Sequence, residues 1–201
     1  MKMRTVCYGS DVYHKPGCHY VAMMKRENRL DVTKANAIAH DCHVCKYCNS
    51  IHYHLNVEDS FIRSYKNKYG FDFVVIGDAL YVRTEISCWK IAYIKSQEHF
   101  TLFHINRVPE NFDFTHPQTC RYHFQADAPQ SESIAHYLRY IYEHDRYKAA
   151  ANAGETITDF TSHRARNLAA RSDKKLEKRR LNYLFKQLEQ ENRGLRELSY
   201  C

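Results

Sequence analysis

Four residues near the start of the chain have the chemical types of a metal site: His14, Cys18, Cys45 and Cys48. They form two pairs, and each pair is close enough in sequence to bind one side of a single ion. Zn²⁺ prefers four sulfur or imidazole ligands in a tetrahedron, with bonds of about 2.3 Å to sulfur and about 2.0 Å to nitrogen. Four protein ligands leave no coordination position for water, so the pattern predicts a structural zinc ion.

The segment between His14 and Cys18 favours a tight turn. Pro16 fixes its own φ angle, and Gly17 tolerates the left-handed backbone conformation that such a turn requires. A turn at these two residues lets the imidazole and the thiol face the same point in space.

The second pair of ligands has an alternative. Two residues separate Cys45 from Cys48, which is the spacing of zinc knuckles. Cys42 and Cys45 have the same spacing, so Cys42 is an alternative ligand in place of Cys48. In a third interpretation no metal is bound, the cysteines are thiols of the hydrophobic core and the histidines lie at the surface. We favour the pair Cys45 and Cys48.

Two short motifs in this block resemble a known family. Residues 13–18 are Y-H-K-P-G-C, residues 45–48 are C-K-Y-C, and an alanine-rich stretch at 35–39 lies between them. Together they resemble the metal-binding module of Ada-type proteins, which also occurs in nucleases and in small bacterial or phage proteins. The resemblance covers residues 5–49 and implies zinc binding. Ada itself uses four cysteines, one of which accepts a methyl group from DNA; with His14 at a ligand position, methyl transfer is not implied here.

The ligands need helices and strands to hold them. Residues 30–39 are predicted to form a short helix, with Asp31 or Thr33 as its N-cap. Apolar residues at helical spacing predict a second helix over 57–69, ended by Gly70. Between these helices the H-x-H motif at 52–54 is a weak metal signal, and its histidines are expected at the surface.

The middle of the chain changes to a β pattern. Short apolar and aromatic runs predict an antiparallel meander of about four strands, with a possible edge strand at 121–125. The runs are residues 71–76, 79–84, 88–94 and 100–105. Their aromatic side chains are expected mainly in the core, although aromatic residues on a sheet can also stack on nucleobases.

Two further helices are predicted. Apolar residues on one face indicate a helix over 131–151, capped by Ser131 or Ser133. Residues 172–198 are predicted to form a basic helix whose leucines fit an imperfect heptad seam, and packing of this helix on its own domain is at least as favoured as a coiled coil. The fold class is therefore α+β, with a zinc module at 1–50, a sheet domain at 51–154 and a basic helical region at 155–201.

The positive charge is concentrated near the end of the chain. The net charge is +7, and residues 161–201 contain 11 Lys and Arg against 5 Asp and Glu. Clustered cations attract phosphate backbones, so nucleic acid is the favoured partner. The favoured contacts are Lys174, Lys175, Lys178, Arg179 and Arg180, and further candidates are Arg164, Arg166 and Arg171.

Other functions stay open at this stage. The leucine seam of the last helix is typical of a protein-interaction or self-association surface, formed by Leu181, Leu184, Leu188, Leu195 and Leu198. A nuclease-like hydrolase is a second alternative. An enzyme is the less favoured interpretation, because the sequence has no P-loop, G-x-G-x-x-G, G-x-S-x-G or H-E-x-x-H motif.

The composition bears on the compartment. No run approaches the roughly 18 consecutive apolar residues of a membrane-spanning helix, and residues 1–9 lack the apolar core of a secretory signal. The chain has 8 cysteines, and in a reducing compartment such thiols serve metal binding rather than disulfides. We therefore expect a cytoplasmic protein without a membrane partner.

Overall fold

The computed structural model describes most of the chain, and its described residues are 3–105, 108–128, 130–154, 174–175, 178–179 and 181–183. They have the predicted α+β architecture, with two sheets and five α-helices in the described part. The chain divides into two compact units, Met1–Ala149 and Ala150–Cys201. Both sheets lie in the first unit.

The first sheet contains four short strands in the order β3-β1-β2-β4. Neighbours pair antiparallel, except that β2 and β4 run parallel. The strands are β1 (Met3–Cys7), β2 (Val12–His14), β3 (Arg29–Thr33) and β4 (His43–Val44). Val6 and Tyr13 on this sheet are buried with Ala37 and form its small core. The five-residue helix α1 (His19–Met23) follows β2 and was not predicted.

The helix predicted over residues 30–39 is wrong in its first half. These residues form strand β3, which pairs with β1 along its whole length, and the helix α2 is confined to Lys34–Ala39. β-Branched side chains such as Val32 favour the extended backbone. The cap is at Thr33, whose Oγ1 accepts a hydrogen bond from the backbone N–H of Asn36 at 3.1 Å.

The second sheet is the predicted antiparallel meander, in the order β5-β6-β7-β8-β9. Its strands are β5 (Asp72–Ile76), β6 (Ala79–Arg83), β7 (Cys88–Ile94), β8 (His99–His104) and β9 (His123–Phe124). The short β9 is the edge strand predicted around residues 121–125, and it pairs with the end of β8.

Three helices accompany the second sheet: α3 (Ile51–Val57), α4 (Asp59–Tyr69) and α5 (Ile134–Asn152). The predicted helix over 57–69 corresponds to α4, and Gly70 ends it in the left-handed conformation, as expected. Helix α3 was not predicted, and it places the 52–54 motif on a helix with His54 buried rather than at the surface.

The main core lies between α5 and one face of the second sheet. Trp89, Ile91, Phe100 and Leu102 are fully buried on that face, and the Tyr137 hydroxyl of α5 donates to the backbone carbonyl of Phe100 at 2.5 Å. The opposite face is covered around Tyr81 by aromatic residues of the segment after β8. Most aromatic side chains of the meander are therefore core residues.

The helix predicted at 172–198 lies mostly outside the described residues. The described positions between 174 and 183 have helical backbone. Within the part of the chain that the structure describes, no helix is both long enough and apolar enough to cross a lipid bilayer.

Candidate metal centre

The four predicted ligands lie together in the structure. One ligand atom from each of His14, Cys18, Cys45 and Cys48 falls within 4.8 Å of all the others. The Sγ of Cys18 is 3.4 Å from the Nδ1 of His14. A zinc tetrahedron built from its usual bond lengths has a sulfur–nitrogen edge of about 3.5 Å. The four side chains therefore form a group of the right size to hold one metal ion.

The parallel pairing of β2 and β4 explains how two of the ligands meet. Tyr13 on β2 is in register with Val44 on β4, so the next residues along both strands are His14 and Cys45, side by side. The backbone N–H of Cys45 donates to the carbonyl of Tyr13 at 2.9 Å and continues this pairing. The first sheet thus positions one ligand from each half of the motif.

Two turns supply the other ligands. The backbone N–H of Cys18 donates to the carbonyl of Lys15 at 3.2 Å, which closes the loop that begins at His14. Gly17 in this loop has φ +80°, a conformation that side chains with a Cβ rarely adopt. Cys48 lies in the turn before α3, and its Sγ accepts a hydrogen bond from the backbone N–H of Lys15 at 3.3 Å.

All four ligand side chains are buried, and Cys48 is fully so. Burial raises the pKa of the Cys48 thiol and lowers the pKa of His14, because a low-polarity environment disfavours the charged form of each group. A neutral imidazole is the form that ligates a metal, and a metal cation compensates the thiolate charge that burial disfavours. The environment thus suits a bound cation.

Cys42 lies apart from this group. Its side chain packs against the core of the first sheet, and its thiol donates to the carbonyl of His40 at 3.7 Å. Among the described residues, no other group of three or more His, Cys, Asp and Glu side chains is arranged to hold a metal ion. His19 packs against Tyr20 and Tyr47 instead.

Sequence reasoning missed a buried lysine beside the centre. Lys15 is 3% exposed, and its Nζ donates to the Tyr93 hydroxyl at 3.1 Å. The same Nζ is 3.5 Å from the Nε2 of His54 and 3.7 Å from the Oε2 of Glu98. Burial lowers the pKa of Lys15, although the Glu98 carboxylate opposes this effect.

Glu98 joins the metal-binding segment to the second sheet. Its Oε1 accepts hydrogen bonds from the Tyr13 hydroxyl at 2.6 Å and from the Lys34 ammonium at 3.0 Å. Burial alone would raise the pKa of Glu98, but these donors outweigh it and hold the pKa below its usual range. The partners are up to 85 residues apart in sequence, so local spacing carries no signal of this contact.

Four of the predicted phosphate contacts are described. Lys174, Lys175, Lys178 and Arg179 are helical and exposed. Arg180 lies outside the described residues, as do Arg164, Arg166 and Arg171. The leucine seam is represented by Leu181, which is 48% exposed; Leu184, Leu188, Leu195 and Leu198 lie outside the described residues.

Comparisons with protein-family models, with curated proteins and with solved structures find no match to this chain. The function therefore has to be argued from the metal centre, from its surroundings and from the distribution of charge.

Proposed function

We propose that the protein is a zinc-containing nucleic-acid-binding protein of bacterial or phage type, in which the zinc ion is structural. The supporting observation is the buried set of one imidazole and three thiols, whose ligand atoms lie within 4.8 Å of one another. This donor set is typical of structural zinc, because sulfur-rich tetrahedral sites select Zn²⁺ and leave no position for a substrate. The Ada-type resemblance of residues 13–18 and 45–48 supports the same assignment.

Elemental analysis of protein purified without added metal tests the zinc assignment. We expect one zinc ion per chain. Cys45→Ser removes a ligand and should abolish zinc retention, whereas the matched control Cys42→Ser removes a thiol outside the group and should retain it. Zinc retained in full by the Cys45→Ser protein would contradict the proposed ligand set.

The proposed binding of nucleic acid is supported by charge. Residues 161–201 carry most of the net positive charge of the chain, and the cationic residues described in this segment are exposed, as phosphate contacts require. Lysine and arginine contacts to phosphate release counterions from the nucleic acid and supply affinity without reading sequence. We therefore propose binding with little base preference.

Salt dependence tests this part of the proposal. Fluorescence anisotropy with labelled duplex DNA, single-stranded DNA and RNA should show affinity falling steeply between about 50 and about 200 mM salt. The double variant Lys174→Ala/Lys175→Ala should bind more weakly, with a salt slope reduced by about 0.9 per lost duplex phosphate contact. The control variant Lys66→Ala/Lys68→Ala removes the same charge from α4 and should bind like wild type. Absence of binding to all three nucleic acids at low salt would refute the proposal.

A second candidate function is supported by exposed apolar side chains in the same segment. Leu181 and Tyr183 are 48% and 63% exposed on helical backbone, which suits a helix that pairs with a protein partner or a second copy of the chain. Sedimentation equilibrium separates this role from the first, because an apolar interface is little affected by salt, while phosphate contacts are weakened. The second candidate would be favoured if the wild-type protein self-associates independently of salt and the Leu181→Asp variant does not self-associate.

A further inference from the structure

A second concave site lies beside the metal centre, with a cavity volume of about 510 Å³. It is bounded by β1, the loop after β2, α3, the start of α4 and the beginning of α5. Its charged lining consists of Arg4, Lys15, His54, Glu58 and Glu132. Its apolar wall includes Val57 and Phe61, which are both about half exposed. This volume is in the range of sites that hold small molecules.

Arg4 is the unusual residue of this cavity. It is 5% exposed, and its Nη1 donates to the carbonyl of Met3 at 2.8 Å. Its Nε and Nη2 are buried and have no hydrogen-bond acceptor among the described residues. These two nitrogens form the parallel fork with which arginine binds both oxygens of a carboxylate or phosphate. A buried cationic fork without acceptors is unfavourable, so the site favours an anion.

The neighbouring carboxylates do not fill this fork. Glu98 accepts from Tyr13 and Lys34, and Glu58 accepts from Ser133 and the first backbone N–H groups of α5. Glu132 comes nearest, but its Oε2 is 4.0 Å from the Nη2 of Arg4, beyond hydrogen-bonding distance. Glu132 and Arg4 thus form a long ion pair, and because Nε and Nη2 have almost no exposed surface, an anion reaches them only if side chains at the cavity wall move.

We propose that this cavity binds a small organic anion. Its carboxylate or phosphate accepts two hydrogen bonds from Nε and Nη2 of Arg4, and its apolar part lies against Val57 and Phe61. Lys15 is a second cation in the lining, and the carboxylates of Glu58 and Glu132 oppose it. This inference goes beyond the proposed function, because it depends neither on the identity of the metal nor on the C-terminal cations.

Titration of the zinc-loaded full-length protein with three probes tests the proposal. The probes are inorganic phosphate, phenyl phosphate and benzoate. Comparing phenyl phosphate with benzoate distinguishes phosphate from carboxylate, and comparing phenyl phosphate with inorganic phosphate measures the contribution of an apolar ring. Arginine Nε–H signals in ¹⁵N-labelled protein should shift on binding, with saturation that calorimetry confirms. Phenyl phosphate should bind more tightly than inorganic phosphate, because its ring covers Phe61.

Variants make the test specific to Arg4. Arg4→Lys removes the fork and should weaken binding at least about tenfold; the control Arg63→Lys alters an exposed arginine on α4 and should bind like wild type. Glu132→Gln removes the nearest carboxylate and should bind the probes more tightly, which keeps the proposal testable if Arg4→Lys is unstable. No saturable binding in either wild type or Glu132→Gln, or wild-type affinity in a folded Arg4→Lys protein, would overturn the proposal.

Discussion

Glu98 is held in an unusual conformation by contacts that are distant in sequence. Its backbone has φ +52°, which costs a residue with a Cβ about 1 kcal/mol or more. Its carboxylate lies among Tyr13, Lys34 and Lys15. The side-chain contacts offset the backbone strain and fix the hairpin between β7 and β8 against the metal-binding segment.

Glu98→Gln should destabilise the protein in a pH-dependent way. At neutral pH we expect a loss of about 1–3 kcal/mol in the free energy of unfolding, because charge-assisted hydrogen bonds are lost. The folded pKa of Glu98 lies below the ordinary value of 4.5, so its stabilisation is fully present above about pH 4.5 and is lost as the pH falls through the folded pKa. The difference between wild type and variant should therefore shrink in acid.

Urea unfolding followed by the fluorescence of Trp89, the single tryptophan of the chain, measures this difference from neutral to acidic pH. The control is Glu110→Gln, because Glu110 is exposed. A difference between wild type and Glu98→Gln that stays constant down to low pH would contradict the assigned role.

Gly17→Ala should disturb the metal centre more than an equivalent change elsewhere. At φ +80° an alanine costs about 1–2 kcal/mol, and its Cβ would lie 3.3 Å from Cγ2 of Val57. Because the same loop carries His14 and Cys18, both thermal stability and zinc affinity should fall. Competition with a chelator measures the zinc affinity.

The matched control is Gly70→Ala at the end of α4. Gly70 has φ +66°, and a Cβ there meets no atom within 4 Å. This variant should lose stability through backbone strain alone and should keep its zinc affinity. Equal zinc affinity in the two variants would argue against the role given to the Gly17 turn.

Helix α5 begins at a carboxylate that belongs to another part of the chain. Glu58, at the break between α3 and α4, accepts hydrogen bonds from the backbone N–H groups of Ile134 and Ala135 at 3.0 and 2.8 Å. A negative charge there is favourable, because the N-terminus of a helix carries a partial positive charge. Ser133 is the cap residue that the sequence analysis allowed, since its Oγ accepts a hydrogen bond from the backbone N–H of His136 at 3.4 Å, and Glu58 supplements this cap at the two preceding N–H groups.

Glu58→Gln should destabilise the start of α5. We expect a loss of about 1–2 kcal/mol, within the range measured for helix caps. Hydrogen exchange should show the largest loss of protection at Ile134 and Ala135. The control Glu27→Gln changes an exposed residue and should leave both readouts unaltered; unchanged exchange at α5 in Glu58→Gln would contradict the capping role.

The sequence predicts what depends on local pattern. Short apolar and aromatic runs were enough to predict the meander, and the spacings of His14 with Cys18 and of Cys45 with Cys48 were enough to select the ligand candidates. Strand β3 was mistaken for helix because its pairing with β1 decides its conformation. The cap at Glu58 and the contacts of Lys15 and Glu98 join residues dozens of positions apart, and such contacts are properties of the tertiary fold.

The first compact unit, Met1–Ala149, contains both sheets and the metal centre. Among the described residues, hydrogen bonds link the metal-binding segment to the second sheet from Tyr13 and Lys34 to Glu98, from Lys15 to Tyr93, and from Tyr93 to Asn49. Trp89 is fully buried in the core of that sheet. The fluorescence of Trp89 therefore reports unfolding of the second sheet, which is linked to the metal centre through these hydrogen bonds.

Removal of zinc by a chelator should lower the stability of the whole unit. A ligand that binds the folded state stabilises everything that unfolds with it. We expect thermal unfolding in one transition, with equal midpoints by far-ultraviolet circular dichroism and by Trp89 fluorescence, and both midpoints should fall when zinc is removed. A fluorescence midpoint that does not respond to the chelator would show that the two sheets unfold independently.

Lys15 contributes to two parts of the structure through different atoms. Its backbone N–H donates to Cys48, while its ammonium group contacts Tyr93. Every amino acid except proline has the backbone N–H that makes the first contact, whereas the second contact needs the lysine ammonium. Substitutions at this position can therefore separate the two roles. Lys15→Met would keep the backbone N–H that donates to the Cys48 sulfur and would remove the hydrogen bond to Tyr93 on the second sheet. Lys15→Pro would remove both hydrogen bonds.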